Sequence, residues 1–232
     1  AGLPCDQKEI FKLSKKYNFK IIEDASHSLG SRNGKSVTGD CKWSDITVFS
    51  FHPVKIITTG EGGALMTNSK VLHDKIKILT NNGITKDPKN YKKKLKKKWY
   101  YEQQDISLNF RMSDINASLG LSQLKKVNKF VKKRNQIAKI YNRELYNLDM
   151  TLPIKLQKTL SSFHLYIIKV NKKIRNRLFD YLIINKIDVN MHYLPVHLHP
   201  FYKRYHFKSG DFKNAENHSL TAISLPIYPT LK

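Results

Sequence analysis

The sequence predicts an α/β protein of two unequal parts, on three observations: helix-like and strand-like patterns alternate from the first residues, three strand segments are separated by crossovers, and the alternation restarts on a smaller scale after residue 150. In CDQKEIFKLSKKYN, Ile10, Phe11, Leu13, Ser14 and Tyr17 fall near helical spacing, and FKIIED then reads as a buried strand, half of a βαβ unit. A loop carrying Gly30, Gly34 and Gly39 leads to SDITVFSF (44–51), a second strand, and GGALMTN (62–68) supplies a third after a glycine-rich turn. VLHDKIKILTNNG reads as a helix stopped near Gly83. A long helical stretch then runs from Ser113 to Asn147, with Ser113 or Asp114 as its cap. Beyond TLP (151–153), HLYIIKV reads as a strand, NRLFDYLIINKI as a helix and DVNMHYLP as another strand. The domain reading is therefore 1–148, part of a larger domain with its long connecting helix, and 149–232, a small and incomplete C-terminal α/β domain.

Composition bounds the function. At 232 residues and 40% hydrophobic, the chain can bury a sizeable core. Cys5 and Cys41 show no paired spacing that suggests a disulfide framework or a zinc site, which fits a reducing, cytoplasmic setting. No apolar run approaches a membrane span, and the start and end read as those of an internal piece of a longer protein. The formal charge of +24 comes from lysines spread over the whole chain, mostly on solvated helix faces. KNYKKKLKKKWYY (89–101) is the exception: clustered lysines beside aromatic residues can attract a polyanion, although the plainer expectation is a charged solvated loop.

Two segments carry chemistry. In IIEDASHSLG (21–30) a carboxylate, Asp24, follows directly on an apolar strand, where ligands sit in α/β sheets; strand-ending aspartates also cap turns. In FSFHPVKIITTGEGGAL (49–65) a lysine, Lys55, stands after a strand between Pro53 and a glycine-rich turn. A solvent lysine needs no such setting, whereas a lysine that attacks a cofactor carbonyl must be desolvated enough to lose its proton. Ser50 offers a hydroxyl for a phosphate.

The pair EDASHSLG and FSFHPVKIITTGEGGA resembles the DegT/DnrJ/EryC1/StrS family of sugar-nucleotide aminotransferases, and LNFRMSDINASLGLSQL, FHLYIIKV, VNMHYLPVHLHPFY and AISLPIYPTL resemble later blocks of that family in the expected order. SFHPVKIITTGEGG and HYLPVHLHPFY carry a finer resemblance to members of the pseudaminic acid pathway. The resemblance implies the α/β fold of type I enzymes dependent on pyridoxal 5'-phosphate (PLP), here a partial large domain with a mostly parallel sheet and a small C-terminal domain. It implies Lys55 as the residue that holds PLP as a Schiff base and then serves as general base, and Asp24 as the carboxylate facing the pyridine nitrogen. His27 matches the position beside the ring, Ser50 the hydroxyl on the PLP phosphate, and Asn109 an asparagine that reaches a phosphate in the partner subunit's site, hence a homodimer. His192 and Tyr193 fall in the block that lines the sugar-nucleotide cleft.

The activity so implied is transfer of an amino group, from glutamate as donor, to C4 of a UDP-linked 4-keto-6-deoxy amino sugar in cell-surface polysaccharide biosynthesis. Members with His at the lysine position follow other chemistry, so Lys55 argues for transamination. Lys186, in INKID (184–188), stands where similar proteins tend to have Gly, which bears on the local turn. His197 and His199 alternate, but no nearby carboxylate or cysteine completes a metal set, and no metal is expected. The competing readings are an inactive fragment of such an enzyme, since the family's first phosphate contacts are expected upstream of Ala1, and a basic nucleic-acid-binding module. The latter lacks any helix-turn-helix, zinc or RNP-type pattern, so neither nucleic acid nor membrane is expected as a partner.

Overall fold

Asp6 opens the first helix by accepting the backbone N–H of Glu9 on its carboxylate, and Asn18 closes it in the left-handed conformation at φ 52°. In the computed structural model, which describes residues 1–93, 95 and 97–231, this helix, α1, covers Gln7–Tyr17. There follow β1 (Ile22–Asp24), β2 (Arg32–Asn33), β3 (Ser36–Val37), β4 (Ile46–Ser50) and β5 (Gly63–Met66). Next come α2 (Lys70–Leu79), β6 (Ile84–Thr85), β7 (Glu102–Gln103), α3 (Asp114–Leu124) and α4 (Val127–Glu144). The last elements are β8 (Thr159–Leu160), β9 (Tyr166–Lys169), α5 (Lys172–Ile184), α6 (Lys213–Thr221) and β10 (Ala222–Leu225). The chain forms two compact units, one of Cys5–Leu29 and Lys35–Lys126, the other of Ala1–Pro4, Gly30–Gly34 and Val127–Lys232. Helix α4 belongs to the second of these units.

In the first unit β4 is the central strand of β1-β4-β5. It pairs parallel with β1, Asp24 opposite Val48, and antiparallel with β5, Ser50 opposite Gly63. The mostly parallel sheet expected is therefore parallel at one of its two junctions here. The physical reason is the loop between β4 and β5: Phe51 N–H bonds to the Gly62 carbonyl at 2.8 Å, so the chain turns straight back beside β4 without a crossover. FKIIED also differs from the buried strand expected. Only Ile22–Asp24 is strand, pairing with β4 alone among the described residues, and Ile22 is 68% exposed. Along β4, Thr47 and Phe49 are buried while Ile46, Val48 and Ser50 are half-buried, the two-residue alternation of a pleated strand.

The long helix expected over 113–147 is two helices. Ser113 is the cap of α3, its hydroxyl accepting the Asn116 N–H at 3.2 Å. The ladder is interrupted at Lys125 and Lys126, where Lys126 N–H bonds to the Gln123 carbonyl in a tighter three-residue turn.

The second unit is built on the antiparallel pair β9 and β10, with Tyr166 opposite Leu225 and Ile168 opposite Ile223. Tyr166, Ile168, Val170, Val189, Ile223 and Ile227 bury their side chains with Ala138 of α4, and Leu178, Phe179 and Leu182 of α5 pack against them. Shortening Ile223, fully buried, to Ala costs ~2–5 kcal/mol through lost burial and the cavity left behind. DVNMHYLP is not a strand, as the sequence suggested. It runs beside β10 with a single bridge, Asn190 to Ser224, and Val196 and Pro200 then start short 3-10 turns rather than further pairing. Proline lacks the N–H a ladder needs, and Pro195 ends the segment's chance of pairing.

Candidate active site

The C-terminal ends of two parallel strands, β1 and β4, bring the first candidate residues together. Asp24 is the last residue of β1, and the ladder continues one step beyond it, Ala25 N–H bonding to the Val48 carbonyl at 2.9 Å. Asp24 is therefore fixed at a strand end, where a carboxylate can face a ligand. Its Oδ1 accepts both the Ser26 hydroxyl, at 2.6 Å, and the Ser26 N–H, at 3.0 Å. These two bonds, with the nearby charges of His27 and Lys55, hold the Asp24 carboxyl below the usual aspartate range. The side chain is exposed and ionised. His27 and Lys55 are the smaller of the influences that lower this carboxyl, after the Ser26 bonds.

Ser50 ends β4 and is half-buried; directly after it comes the loop that carries Lys55. This loop is tied at its neck. Phe51 donates to the Gly62 carbonyl, and the Phe51 carbonyl accepts the Thr59 N–H at 2.9 Å and the Thr58 hydroxyl at 3.1 Å. Lys55 closes a turn on His52, N–H to carbonyl at 2.9 Å, and is half-buried. Ile56 and Ile57, 4% and 2% exposed, follow it into the interior. Two buried isoleucines thus anchor the backbone of the loop directly after the lysine.

A second layer holds the loop from α3. The Asn116 side-chain amide donates to the Thr59 carbonyl at 2.6 Å and the Glu61 carbonyl at 3.1 Å. One helical turn later, Gly120 lets Thr59 approach: a Cβ there would stand 2.8 Å from the Thr59 methyl. Asn116, Thr59 and Ser26 are residues that sequence reasoning missed. The signal was present: DINASLGL sets an asparagine and a glycine four apart on one side of a helix, and Asp-Ala-Ser is the spacing at which an aspartate bonds two residues on.

Asn109 is exposed, its backbone bridged to Asn81 and its side-chain oxygen accepting Arg111 Nε at 2.7 Å. His192 and Tyr193 belong to the other unit, in the extended segment beside β10. His192 Nδ1 lies 2.7 Å from the Ser224 hydroxyl, and its carbonyl is 3.1 Å from His218 Nε2. The Tyr193 ring stands edge-on to that of His192 and is 63% exposed. His197 is buried against Phe212 with its Nε2 3.0 Å from Glu216. Among the described residues no cluster of His, Cys, Asp and Glu is arranged to hold a metal ion.

The arrangement can do carbonyl chemistry with an amine: a positioned lysine, an ionised carboxylate, an imidazole and a hydroxyl gather around two strand ends. Comparison with known proteins identifies the family. The sequence model of the DegT/DnrJ/EryC1/StrS aminotransferase family matches residues 1–232. The UDP-4-amino-4,6-dideoxy-N-acetyl-beta-L-altrosamine transaminase of Campylobacter jejuni is 37% identical over 98% of this chain and 58% of its own length. Among solved structures, Helicobacter pylori PseC, an aminotransferase involved in the biosynthesis of pseudoaminic acid, superposes with a TM-score of 0.87 at 33% identity, over 99% of this chain and 60% of that one. A Streptococcus pneumoniae protein, Spr1654, solved in its PLP form, superposes at 0.85 with 28% identity, over 99% of this chain and 62% of its own. The chain spans about 60% of the length of the curated relatives it matches.

Proposed function

The chain belongs to the DegT/DnrJ/EryC1/StrS aminotransferase family, and from that membership we propose that the protein transfers an amino group from glutamate to C4 of a UDP-linked 4-keto-6-deoxy amino sugar, with PLP as cofactor. Its architecture is the α/β fold type I of its PLP-dependent neighbours. The observation that carries the proposal is the half-buried Lys55 on a tied loop, in the electrostatic neighbourhood of an ionised Asp24 at a parallel strand end.

The donor set fits PLP: a primary amine, a carboxylate held in its charged form, an imidazole and a hydroxyl at the end of the neighbouring strand. When bound, PLP supplies an electrophilic carbonyl carbon and an electron-withdrawing ring. Lys55 would hold it covalently and, once displaced by the incoming amine, would take the proton from the nitrogen-bearing substrate carbon and hand it on toward the cofactor. Asp24, charged at neutral pH, would keep the ring nitrogen protonated, and its Ser26 bonds fix it in advance so that little reorganises during reaction. His27 would flank the ring, Ser50 would donate to the phosphate, and Asn109 would reach the phosphate of the partner subunit in a homodimer. His192 and Tyr193 would line the sugar-nucleotide cleft. On this reading residues 1–148 are part of the cofactor-binding domain, 149–232 part of the small one, and the enzyme works in the cytoplasm. Borohydride reduction of the PLP-loaded protein followed by peptide mapping tests the proposal. A pyridoxyl label on the Lys55 peptide supports it, and a label on any other lysine overturns it.

A further inference from the structure

Residues 88–101, PKNYKKKLKKKWYY, hold seven lysines and no acidic residue. The next carboxylate, Glu102, is turned inward: it accepts the backbone N–H groups of Lys92 and Lys93 at 2.6 and 2.8 Å, the Tyr100 hydroxyl at 3.0 Å and the Gln104 amide at 3.1 Å. Its charge is spent on the stem of the loop and is only 9% exposed. Tyr91 and Tyr100 stack edge to face, ring centres 5.0 Å apart, and the Tyr91 hydroxyl reaches the Tyr100 carbonyl at 2.7 Å. The stem is therefore anchored by buried polar bonds and aromatic contact. Beyond it, Lys89, Lys92, Lys93, Lys97 and Lys98 are exposed and, among the described residues, have no carboxylate within ion-pairing distance. Beside them Leu95, Trp99 and Tyr101 are 43%, 71% and 55% exposed. Lys94 and Lys96 lie outside the described residues and carry no part of the argument.

We propose that this loop docks the protein on the surface of an anionic lipid bilayer, the lysines among the head groups and Leu95 and Trp99 in the interfacial layer. Cations alone would suit any polyanion. A bare leucine and a tryptophan among them suit a boundary between water and hydrocarbon, where an amphipathic indole and an apolar side chain gain by partial burial. The segment has no arginine, the residue whose planar fork serves nucleic-acid recognition. The contact is interfacial, since no described helix is long and apolar enough to cross a membrane. The sequence alone suggested no membrane partner; the inward turn of Glu102 and the exposure of Trp99 are what change that reading.

The test is partition of the full-length protein between buffer and vesicles of phosphatidylglycerol and phosphatidylcholine, beside pure phosphatidylcholine vesicles and a single-stranded oligonucleotide. The expected result is binding to the anionic vesicles, weakened by salt, with a blue shift of tryptophan emission that Trp99→Phe removes. Replacing Lys92, Lys93, Lys97 and Lys98 by Gln should lower the partition more than a hundredfold, from roughly fivefold per lysine, which corresponds to ~1 kcal/mol for each basic residue near an anionic surface. Equal partition of this variant, equal binding to neutral vesicles, a blue shift that persists in Trp99→Phe, or tighter binding to the oligonucleotide than to the vesicles would each overturn the proposal.

Discussion

The side-chain amide of Asn116 donates to the carbonyl oxygen of Thr59 at 2.6 Å, which ties the lysine-bearing loop to helix α3. Thr59 is 2% exposed, so its carbonyl has little water to fall back on when that donor is removed. Asn116→Ala should cost ~1–3 kcal/mol, the usual price of leaving a buried acceptor unpaired. Its distinguishing mark is local: amide exchange in residues 55–62 should accelerate while β9 and β10 stay as protected as before. Uniform loss of protection in both units would instead mean a general structural role.

Asp24→Asn should retain the cofactor and slow single turnovers by about a hundredfold, the scale of one preorganised electrostatic contact. The carboxyl is held below its ordinary 3.8, so it stays charged throughout the neutral range. The pH profile of the unsubstituted enzyme above pH ~5 should then contain no limb that Asp24→Asn abolishes. Unchanged single-turnover rates in the variant would refute the role.

Lys186→Gly should stabilise the protein. Ile184 ends α5, Lys186 N–H bonds to the Ile183 carbonyl, Ile187 N–H to that of Leu182, and Lys186 itself sits at φ 63°. This is a Schellman closure with a lysine at the position that favours glycine. A left-handed non-glycine residue costs about 1–2 kcal/mol, and the added freedom of an unfolded glycine returns roughly 0.5–1 of it. The net gain is ~0.5–1 kcal/mol, a rise of about 1–4 °C in Tm by thermal unfolding. A fall in Tm would show that the lysine side chain makes a contact worth more than the strain.

Acid should weaken the second unit through Glu216. Burial pushes this carboxyl up, but bonds from the Gly210 N–H, the Ser209 hydroxyl, His197 and the Phe212 N–H outweigh it and bring it from 4.5 to about 2. A carboxyl depressed by folding stabilises the fold above its unfolded pKa, and that contribution is lost as pH falls toward the folded one. Stability measured by urea titration should therefore decline between pH 4.5 and about 2, and Glu216→Gln should flatten that slope. An unchanged slope in the variant would assign the acid sensitivity elsewhere.

The positions of Asp24 and Ser50 at strand ends were legible because an apolar run that stops at a polar residue marks both the strand and its end. The Lys55 loop was legible from Pro53 and the TTGEGG turn for a similar reason: special backbone geometry leaves special residues. What the sequence concealed depends on long-range pairing. The pattern of 113–147 stays helical through Lys125 and Lys126, and nothing local marks the tighter turn that separates α3 from α4. DVNMHYLP has the composition of a strand, but its place beside β10 yields one bridge, and Pro195 follows. For Asn116 the sequence offers only a glycine four residues on, and not its partners, because the carbonyls of Thr59 and Glu61 lie more than fifty positions away and belong to the backbone.

The bonds that join Phe51 to Gly62, Thr58 and Thr59 use main-chain groups at all but one atom. The loop they enclose is therefore specified by how many residues it contains more than by which ones. Single replacements at the exposed His52, Pro53 and Val54 should be tolerated, whereas insertion or deletion of one residue would misalign the neck and displace the Lys55 amine. Variation in this stretch is open in spelling and closed in length.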